Sequence, residues 1–390
     1  MRLFLVWVLL CVAAHAETVL VLPFFNHSKT ANLDWLGESI AESVHDALVS
    51  EGLLALDRED RLEAYRRLNM RPGAELTHAS IIKIGQSLDA TKVVYGEFEL
   101  LAPESGKEQT KGTLRINARI VDLKDMRQGP PFGELGALED LASIEARVDW
   151  QALAQLIPKS VPPEQEYVKR QPPVRLDAVE SYIRGLLATM PEQRYKLFTQ
   201  SARLDEHYSQ PCFQLGKIAW EQKDYKNAAT WLPRVAKTDS HYLEAQFFLG
   251  LSQYQQGMYP AAERDFQTVA ASVPLNEVFN NLGAAQSRRG DTAGAIASFR
   301  KALEGDSGDP DYHFNLAYEL WRAGEFDQAV ESFRAALARN GADNEATSML
   351  GLALKRQGPR ANDPKSEGRE RLKRNYDEAA YRQLQAELKK

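Results

Sequence analysis

A leucine followed by a small residue recurs at a nearly fixed interval in the second half of the chain, and this repeat limits the possible folds more than any other feature. The successive copies are separated by 34, 33, 34 and 34 residues. A chance bundle of amphipathic helices would give apolar periodicity, but it would not keep five registers within one residue. The copies are Leu215-Gly216, Leu249-Gly250, Leu282-Gly283, Leu316-Ala317 and Leu350-Gly351.

Two further positions recur within each repeat. An alanine lies thirteen residues after each of the first four leucines, and a large apolar residue lies four residues after that alanine. Small residues let two antiparallel helices approach closely, and large residues fill the space that remains. The alanines are Ala228, Ala262, Ala295 and Ala329, and the large residues are Leu232, Phe266, Phe299 and Phe333. This period and pattern resemble those of the tetratricopeptide repeat.

The resemblance covers residues 174–388 and implies a right-handed superhelix of stacked helical hairpins that binds a partner protein or peptide in its concave groove. We therefore predict an all-α solenoid for this part of the chain. Its predicted segments are a degenerate hairpin at 174–208, repeats at 209–242, 243–275, 276–309 and 310–343, the first helix of a fifth repeat at 344–358, and an extension at 359–390.

In the extension, the last predicted helix comes about sixteen residues late, because Ala379 lies 29 residues after Leu350 instead of thirteen. We interpret the inserted residues around 358–368 as a solvent loop and the last helix as the polar cap that a repeat array needs at its end. The high charge of the stretch leaves a disordered tail as the alternative. A solvated helix face, or contact with an anionic partner, is predicted for the basic residues Arg369, Arg371, Lys373 and Arg374.

The predicted partner-binding site follows from the resemblance, because the first helix of each tetratricopeptide hairpin lines the groove. Aromatic side chains and arginine carry much of the energy of protein interfaces, and asparagine can bond both the N–H and the C=O of an extended peptide. The alternative is that half of these side chains pack against the next repeat. The predicted groove residues are Phe213, Lys217, Trp220, Phe247, Leu251, Tyr254, Asn280, Asn281, Arg288, Phe314, Asn315, Tyr318, Trp321 and Arg322.

The first half of the chain alternates strand-like and helix-like segments, which predicts an α/β domain over residues 17–157. A β-branched run at 18–25 precedes a helical pattern of apolar residues, and two later strands should pair as a hairpin. The apolar helical positions are Trp35, Leu36, Ile40, Val44 and Leu48. One face of the second hairpin strand is predicted to carry Leu114, Ile116, Ala118 and Ile120.

Four stretches of this half, in the same order, resemble the amino-terminal domain of TolB and the similar FlgO-like and CsgG-like exported domains. They are VLPFFN at 21–26, LDWLGESIAESVHDAL at 33–48, IIKIGQSLDATKVVYGEFE at 81–99 and LRINARIVDL at 114–123. The resemblance implies a mixed sheet with packed helices and a place in a bacterial envelope assembly. It carries no catalytic motif over to this chain.

Residues 1–16 have the pattern of a cleaved signal peptide. Arg2 precedes an apolar run of twelve residues, and the stretch ends on the small-x-small sequence Ala14-His15-Ala16. A retained anchor is the alternative, but a bilayer span needs about 20 apolar residues. We expect cleavage before Glu17 and export to the periplasm, or to the periplasmic face of the outer membrane, of a Gram-negative bacterium.

Composition adds three expectations. Residues 158–173 are rich in proline and charge and have no apolar period, which predicts a linker. The net charge of −6 argues against a nucleic-acid partner, which would require a basic face. Cys212 is the one cysteine outside the predicted signal peptide, so no internal disulfide is expected.

No pattern predicts catalysis or a bound cofactor. The sequence contains no phosphate-binding glycine loop, nucleophile elbow or HExxH helix, and its seven histidines lack zinc-ligand spacing. Asp34, Glu38 and Glu42 could bind a cation on one helix face, but solvated acids near a helix start are the commoner arrangement. We predict no enzymatic activity, no cofactor and no metal site.

Together these features favour an exported, non-catalytic interaction scaffold of the bacterial cell envelope. The repeats would bind a partner protein or peptide, and the first domain would dock to a membrane-associated assembly or oligomerise. One alternative is a structural subunit of an outer-membrane or secretion assembly. Another is an accessory subunit of an envelope enzyme, or a weak hydrolase with its site in the α/β domain.

Overall fold

A computed structural model describes residues 17–28, 31–101, 112–171, 173–360 and 366–388. The predicted signal peptide at 1–16 lies outside the described residues. The chain divides into two compact units, the first built mainly from residues up to 164 and the second mainly from residue 165 onward. Within the described ranges, no helix combines the length and the apolar character that a membrane span requires.

The first unit is a mixed sheet with packed helices, as predicted. The strands are β1 (Thr18–Val21), β2 (Phe25–Asn26), β3 (Leu54–Ala55), β4 (Lys92–Leu101), β5 (Thr113–Asp122), β6 (Arg127–Gln128) and β7 (Phe132–Ala137). The helices are α1 (Trp35–Ser50), α2 (Arg58–Arg67), α3 (His78–Ser87) and α4 (Leu141–Leu156).

The sheet combines parallel and antiparallel pairs. Among the described residues its strand order is β3-β1-β4-β5-β6, with β2 also pairing with β4 and β7 with β5. Strand β1 runs parallel to β3 and β4, and the predicted hairpin strands β4 and β5 pair antiparallel from Lys92↔Asp122 to Leu101↔Thr113. A central parallel strand must be covered on both faces, which is consistent with the continuous apolar run of β1.

The apolar positions predicted for α1 and β5 form part of the core of this unit. Leu36, Ile40, Val44 and Leu48 are fully buried, and the predicted face of β5 is buried as well. Strand β7 was not predicted, because its glycines hide the strand pattern. A Cβ on Gly133 would lie 2.0 Å from the carbonyl oxygen of Ile116, so β7 pairs closely with β5 only with glycine at that position.

The second unit is a succession of helices, which confirms the predicted all-α solenoid. Its helices are α5 (Glu164–Arg170), α6 (Leu176–Leu187), α7 (Pro191–Leu204), α8 (Gln210–Glu221), α9 (Tyr225–Trp231), α10 (Tyr242–Gln255), α11 (Tyr259–Ser272), α12 (Asn276–Arg289), α13 (Thr292–Gly305), α14 (Pro310–Arg322), α15 (Phe326–Arg339), α16 (Asn344–Leu354) and α17 (Glu378–Leu388).

Helix α5 falls within the stretch predicted as a linker, so that stretch is partly helical. Tyr167 on this helix is 4% exposed. The pair Pro162-Pro163 lies just before the first turn and Pro173 lies after the last one. Proline is tolerated ahead of a helix, where its missing N–H would have no partner. The prolines therefore bound α5 without interrupting it.

Within the repeats, each glycine of the first helix faces the large apolar residue of the second helix. A Cβ on Gly216 would lie 2.5 Å from the Leu232 side chain. A Cβ on Gly250 would lie 2.8 Å from the fully buried ring of Phe266, and Gly283 is equally close to Phe299. The small-to-large pairing read from the sequence is therefore the contact that closes each hairpin.

The fifth repeat departs from this arrangement. A Cβ on Gly351 of α16 would meet no atom within 4 Å, so no second helix packs on that face. Helix α17 lies elsewhere: Tyr381 packs against Tyr376, whose ring contacts Phe247 of α10. The predicted cap over α16 is therefore not formed, because the chain after α16 turns back along the repeats.

Candidate peptide-binding groove

Residues 366–377, here called the groove segment, lie along the first helices of the repeats. At one end the Tyr318 hydroxyl of α14 donates a hydrogen bond to the Ser366 carbonyl over 2.8 Å. At the other end the Tyr376 ring packs edge-on against Phe247 of α10, with centroids 5.0 Å apart. The segment thus runs from the fourth repeat to the second, against the order of the repeats.

Two asparagines hold the main chain of the groove segment. The Asn315 Nδ2 donates to the Arg371 carbonyl, and the Arg371 N–H donates to the Asn315 Oδ1, both over 2.8 Å. Asn281 makes the same pair of 2.8 Å bonds with Lys373. Both asparagines are fully buried. Since these bonds involve only backbone atoms of the segment, they do not depend on its side chains.

Asn280 completes this polar row. Its Nδ2 donates to the Arg371 carbonyl over 2.8 Å, and its Oδ1 accepts from the Asn315 Nδ2 over 2.7 Å. Asn280 is also fully buried. A buried amide without partners would be costly, so while the segment covers the row its extended main chain supplies the hydrogen bonds that the amides need.

The Arg371 side chain fills an acidic pocket. Its guanidinium carbon lies 3.5 Å from the centroid of the Phe314 ring. Its two terminal nitrogens donate to the two Asp343 oxygens over 2.6 and 3.0 Å, and further bonds of 3.2 Å reach Asp311 and Glu345. A planar guanidinium suits both the flat ring and the paired carboxylate oxygens. The hydrogen bonds from Arg371 lower the pKa of Asp343.

Lys373 occupies a second acidic pocket beside the first. Its ammonium nitrogen lies 2.7 Å from Asp309 and 2.8 Å from Asp311, and 5.1 Å from the Tyr312 ring centroid. Burial opposes the charge of Lys373, but the two carboxylates outweigh it and raise the pKa of its ammonium group. The pocket therefore favours a cation at this position of the segment.

Glu370 lies in surroundings that differ from the two acidic pockets. The Ser287 hydroxyl lies 2.8 Å from it and 2.6 Å from Glu319, so its one hydrogen serves one carboxylate at a time. The Arg322 guanidinium lies 3.9 Å from Glu370 and 2.9 Å from Glu319. The Tyr254 hydroxyl lies 3.4 Å from its second oxygen, and burial together with this carboxylate raises the pKa of Tyr254. Glu370 itself is 8% exposed. Neighbouring acidic and basic residues of the segment therefore have different surroundings in the groove.

Most of the groove residues predicted from the sequence contact the chain beyond α16. Those that contact Gln357 or the groove segment are Trp220, Phe247, Tyr254, Asn280, Asn281, Phe314, Asn315, Tyr318, Trp321 and Arg322. Whether these side chains also bind a partner remains a prediction.

The other predicted groove residues make different contacts. Phe213 stacks on His241 with centroids 4.5 Å apart, and Leu251 is fully buried. Arg288 donates to the Tyr259 hydroxyl over 2.8 Å and also lies beside Gly368 of the groove segment, where a Cβ would be 2.7 Å from its terminal nitrogen. The Lys217 ammonium lies 3.4 Å from Glu244. For Phe213 and Leu251, packing within the array was the alternative interpretation, and it is the one that their burial supports.

Sequence reasoning missed the acidic residues that form the two cation pockets. Asp309 and Asp343 begin α14 and α16, where their side chains accept hydrogen bonds from the backbone N–H groups of Asp311 and Ala346. An aspartate at the start of a helix is expected as an N-cap, so the sequence alone does not indicate that it also binds a cation. The sequence feature that could have revealed them is that Asp309 and Asp343 lie 34 residues apart, at the same end of the first helix in two successive repeats.

The predictions for the extension need correction. Residues 366–373 form no helix, so the basic cluster that includes Arg371 and Lys373 is not a solvated helix face. Ser366, at the end of the predicted solvent loop, is 7% exposed. The physical reason is that the asparagine row can bond an extended main chain, whereas a helix would already have used those backbone groups internally.

The acidic residues at and just before the start of α1, considered above as a cation site, have protein partners. Asp34 accepts from Asn26 over 2.7 Å, and Glu38 accepts from Arg58 over 2.7 Å and also from Arg61. Glu42 lies 3.8 Å from Arg61. In the described parts of the chain, no group of three or more His, Cys, Asp or Glu residues is arranged to hold a metal ion.

The first unit contains a buried pair of carboxyl groups on α4. The Ser39 hydroxyl donates to Glu145 and the Ser43 hydroxyl donates to Asp149, each over 2.7 Å. Burial raises the pKa of Glu145 to about 7 and raises that of Asp149 as well, although the serine hydrogen bonds oppose both shifts. Among the described residues, the side-chain hydrogen bonds of these carboxyls go to the two serines, and we assign the pair no chemistry.

The helical hairpins, their 34-residue period and their glycine-to-aromatic packing are features of tetratricopeptide repeats. The tetratricopeptide repeat family matches residues 247–310 and 314–359 of the chain. The chain therefore carries tetratricopeptide repeats in its second unit. No curated protein matches the chain at a significant level.

Among solved structures, the chain is similar to other tetratricopeptide proteins at low identity. MamA (residues 41 to the end) from Desulfovibrio magneticus RS-1 is 22% identical, with 41% of this chain and 92% of that chain covered and a TM-score of 0.38. YrrB, described as a TPR protein with an unusual peptide-binding site, is 18% identical, with 44% and 87% covered and a TM-score of 0.37.

Proposed function

We propose that the protein is an exported, non-catalytic scaffold of the bacterial cell envelope that binds an extended stretch of a partner protein in its groove. The observation that carries the proposal is the asparagine row. Asn281 and Asn315 each exchange two hydrogen bonds with one residue of an extended main chain. Such a site holds a peptide by its backbone and selects it by its side chains.

The first unit gives the proposal its location. Its resemblance to TolB-like, FlgO-like and CsgG-like domains and the signal-like residues 1–16 support a place in the periplasm or at the periplasmic face of the outer membrane. We infer that this unit docks to a membrane-associated assembly or oligomerises. Mass spectrometry of the protein from a periplasmic fraction should find Glu17 as the first residue. Retention of residues 1–16 would contradict cleavage and export.

A crosslinked pulldown from envelope extract tests the scaffold. The full chain is compared with an Asn281→Ala/Asn315→Ala variant and with Asn227→Ala, an exposed asparagine of α9 away from the groove. All three forms must first show equal helicity and melting temperature. A partner that is captured by the wild type and Asn227→Ala but lost in the double variant supports the proposal. Equal capture by all three forms would place the binding site outside the groove.

A further inference from the structure

The groove segment shows what kind of peptide the groove selects, and this inference deepens the proposed function and rests on its groove. We propose that the groove binds an extended segment with the pattern acid, arginine, any residue, lysine, any two residues and tyrosine, and that the chain's own residues 366–377 compete for it. In this chain the pattern is Glu370, Arg371, Lys373 and Tyr376.

The spacing of the two basic residues is set by the backbone contacts. Arg371 and Lys373 are the residues held by Asn315 and Asn281, and they lie two apart, so their side chains point to the same side of an extended chain. On that side, Asp311 contacts both cations, at 3.2 Å from Arg371 and 2.8 Å from Lys373. A partner peptide shifted by one residue would turn both cations away from these carboxylates.

A separate set of contacts favours an acid over a basic residue at the position before the arginine. Glu370 lies among hydroxyl groups and the Arg322 guanidinium, and Arg322 also bonds the fully buried Glu319 over 2.9 Å. Glu319 already accepts hydrogen bonds from both Ser287 and Arg322, so a neutral residue at this position would leave them paired, whereas a basic residue would face the Arg322 guanidinium. The groove therefore rejects a uniformly basic peptide and accepts one with alternating charge.

The far end of the pattern is aromatic. Tyr376 packs on Phe247, and the Arg374 guanidinium carbon lies 5.6 Å from the centroid of the Trp220 ring. Burial raises the pKa of the Tyr376 hydroxyl well above its ordinary value. An aromatic side chain here is an apolar anchor that fixes the register of the charged residues.

The composition of the groove segment indicates that it can exchange with a partner. Its twelve residues, SEGRERLKRNYD, include only Leu372 and Tyr376 as large apolar side chains, so little apolar burial holds it in place. Paired charges contribute little net free energy after desolvation, and salt screens them. The segment competes because it is tethered, which gives it an effective concentration of about 1 mM. An intrinsic peptide affinity of about 10 µM would then be masked about a hundredfold.

Fluorescence anisotropy with a labelled peptide of sequence SEGRERLKRNYD tests the inference. The proteins are the full-length wild type, the release variant Arg371→Glu/Lys373→Glu, and the control Lys226→Glu/Arg334→Glu, which reverses two exposed charges on α9 and α15. The release variant should bind the peptide at least tenfold more tightly than the wild type or the control. A peptide with both cations replaced by glutamate, SEGREELERNYD, should not bind any of them.

Four results would overturn the inference. Failure of the release variant to bind the peptide would show that the pattern is not recognised. Equal binding by wild type and release variant would show that the chain's own segment does not compete. Peptide binding that survives addition of Asn281→Ala/Asn315→Ala would place the peptide elsewhere. A concentration-dependent dimer of the wild type that dissociates in the release variant would show that the segment binds a second copy.

Two precautions keep the test decisive. Lys373→Glu alone, which changes one residue outside every helix, replaces the double variant if the latter has lost helicity. The anisotropy experiment uses only protein and peptide, without envelope extract. A pulldown that captures no partner therefore does not change its result. Conversely, a partner captured through the groove without this pattern would support the scaffold and contradict the pattern.

Discussion

Asn315 and Arg371, 56 positions apart in the sequence, exchange two hydrogen bonds of 2.8 Å through the Asn315 side chain and the Arg371 backbone. The same geometry joins Asn281 to Lys373. The backbone of the groove segment is therefore hydrogen-bonded by asparagine side chains, in the way that the backbone of a β-strand is bonded by a neighbouring strand. Because each asparagine binds a different residue of the segment, the docking of Arg371 and of Lys373 can be measured separately.

Asn315→Ala should weaken docking at Arg371 more than at Lys373. Loss of an amide–backbone hydrogen bond costs about 1 kcal/mol, so the Arg371 amide should exchange about fivefold faster with solvent. Hydrogen exchange resolved to single residues measures this, with Asn227→Ala as the control. An unchanged Arg371 amide in Asn315→Ala would show that the bond does not restrain the segment.

Gly368→Ala should release the groove segment. Gly368 has a φ of +69°, and a Cβ there would lie 2.7 Å from a terminal nitrogen of Arg288. A left-handed alanine costs about 1 kcal/mol, which corresponds to a roughly fivefold larger population of the released segment. Trypsin cleavage after the basic residues at 369–374 should accelerate accordingly. Gly358→Ala, at a glycine without positive φ, is the matched control and should leave the rate unchanged.

Two glycine substitutions should have opposite effects on the stability of the array. Gly250→Ala forces a Cβ against the buried Phe266 ring and should destabilise it by about 1–3 kcal/mol. Gly351→Ala meets open space in α16 and should stabilise it by up to about 1 kcal/mol, because alanine favours the helix. Urea unfolding measures both. Equal destabilisation would show that a second helix packs on α16.

The buried Glu145 should make stability depend on pH. Its pKa is raised to about 7, mainly by burial, so the native state prefers the protonated form. The contribution of protonated Glu145 to the free energy of unfolding is therefore fully present below the ordinary glutamate pKa. It is lost as the pH rises from there through about 7, by up to about 1.4 kcal/mol per pH unit.

Glu145→Gln keeps an acceptor for Ser39 without the charge, so its urea midpoint should fall less between pH 5 and pH 8 than that of the wild type. Glu59→Gln, at an exposed residue of α2, should behave like the wild type. Parallel curves for Glu145→Gln and the wild type would exclude Glu145 as the source of the pH dependence.

Much of the second unit could be predicted because its contacts repeat locally. The glycine at 283 and the phenylalanine at 299 lie within one hairpin, so their spacing alone indicates that the two helices touch. The asparagines of α12 and α14 could be identified as groove residues for the same reason: first helices share one face of the array.

The occupant of the groove could not be predicted in the same way. The residues Glu370 to Arg374 carry neither a strand nor a helix period, and their partners lie far away in the sequence, as with Trp220 and Arg374 or Tyr254 and Glu370. Charge complementarity between Arg371 and the helix-capping Asp343 becomes visible only after folding. Strand β7 was missed for a related reason, since Gly133 lacks the side chain on which a strand pattern depends.

The direction of the groove segment has a mechanical consequence. In a solenoid each repeat touches only its neighbours, so its curvature can change by small adjustments distributed over many hairpins. A segment bonded to Tyr318, Asn281 and Phe247 spans three repeats and fixes the distances between them. Its departure would free the array to bend, so events at the groove could alter the spacing of surfaces on the opposite side of the superhelix.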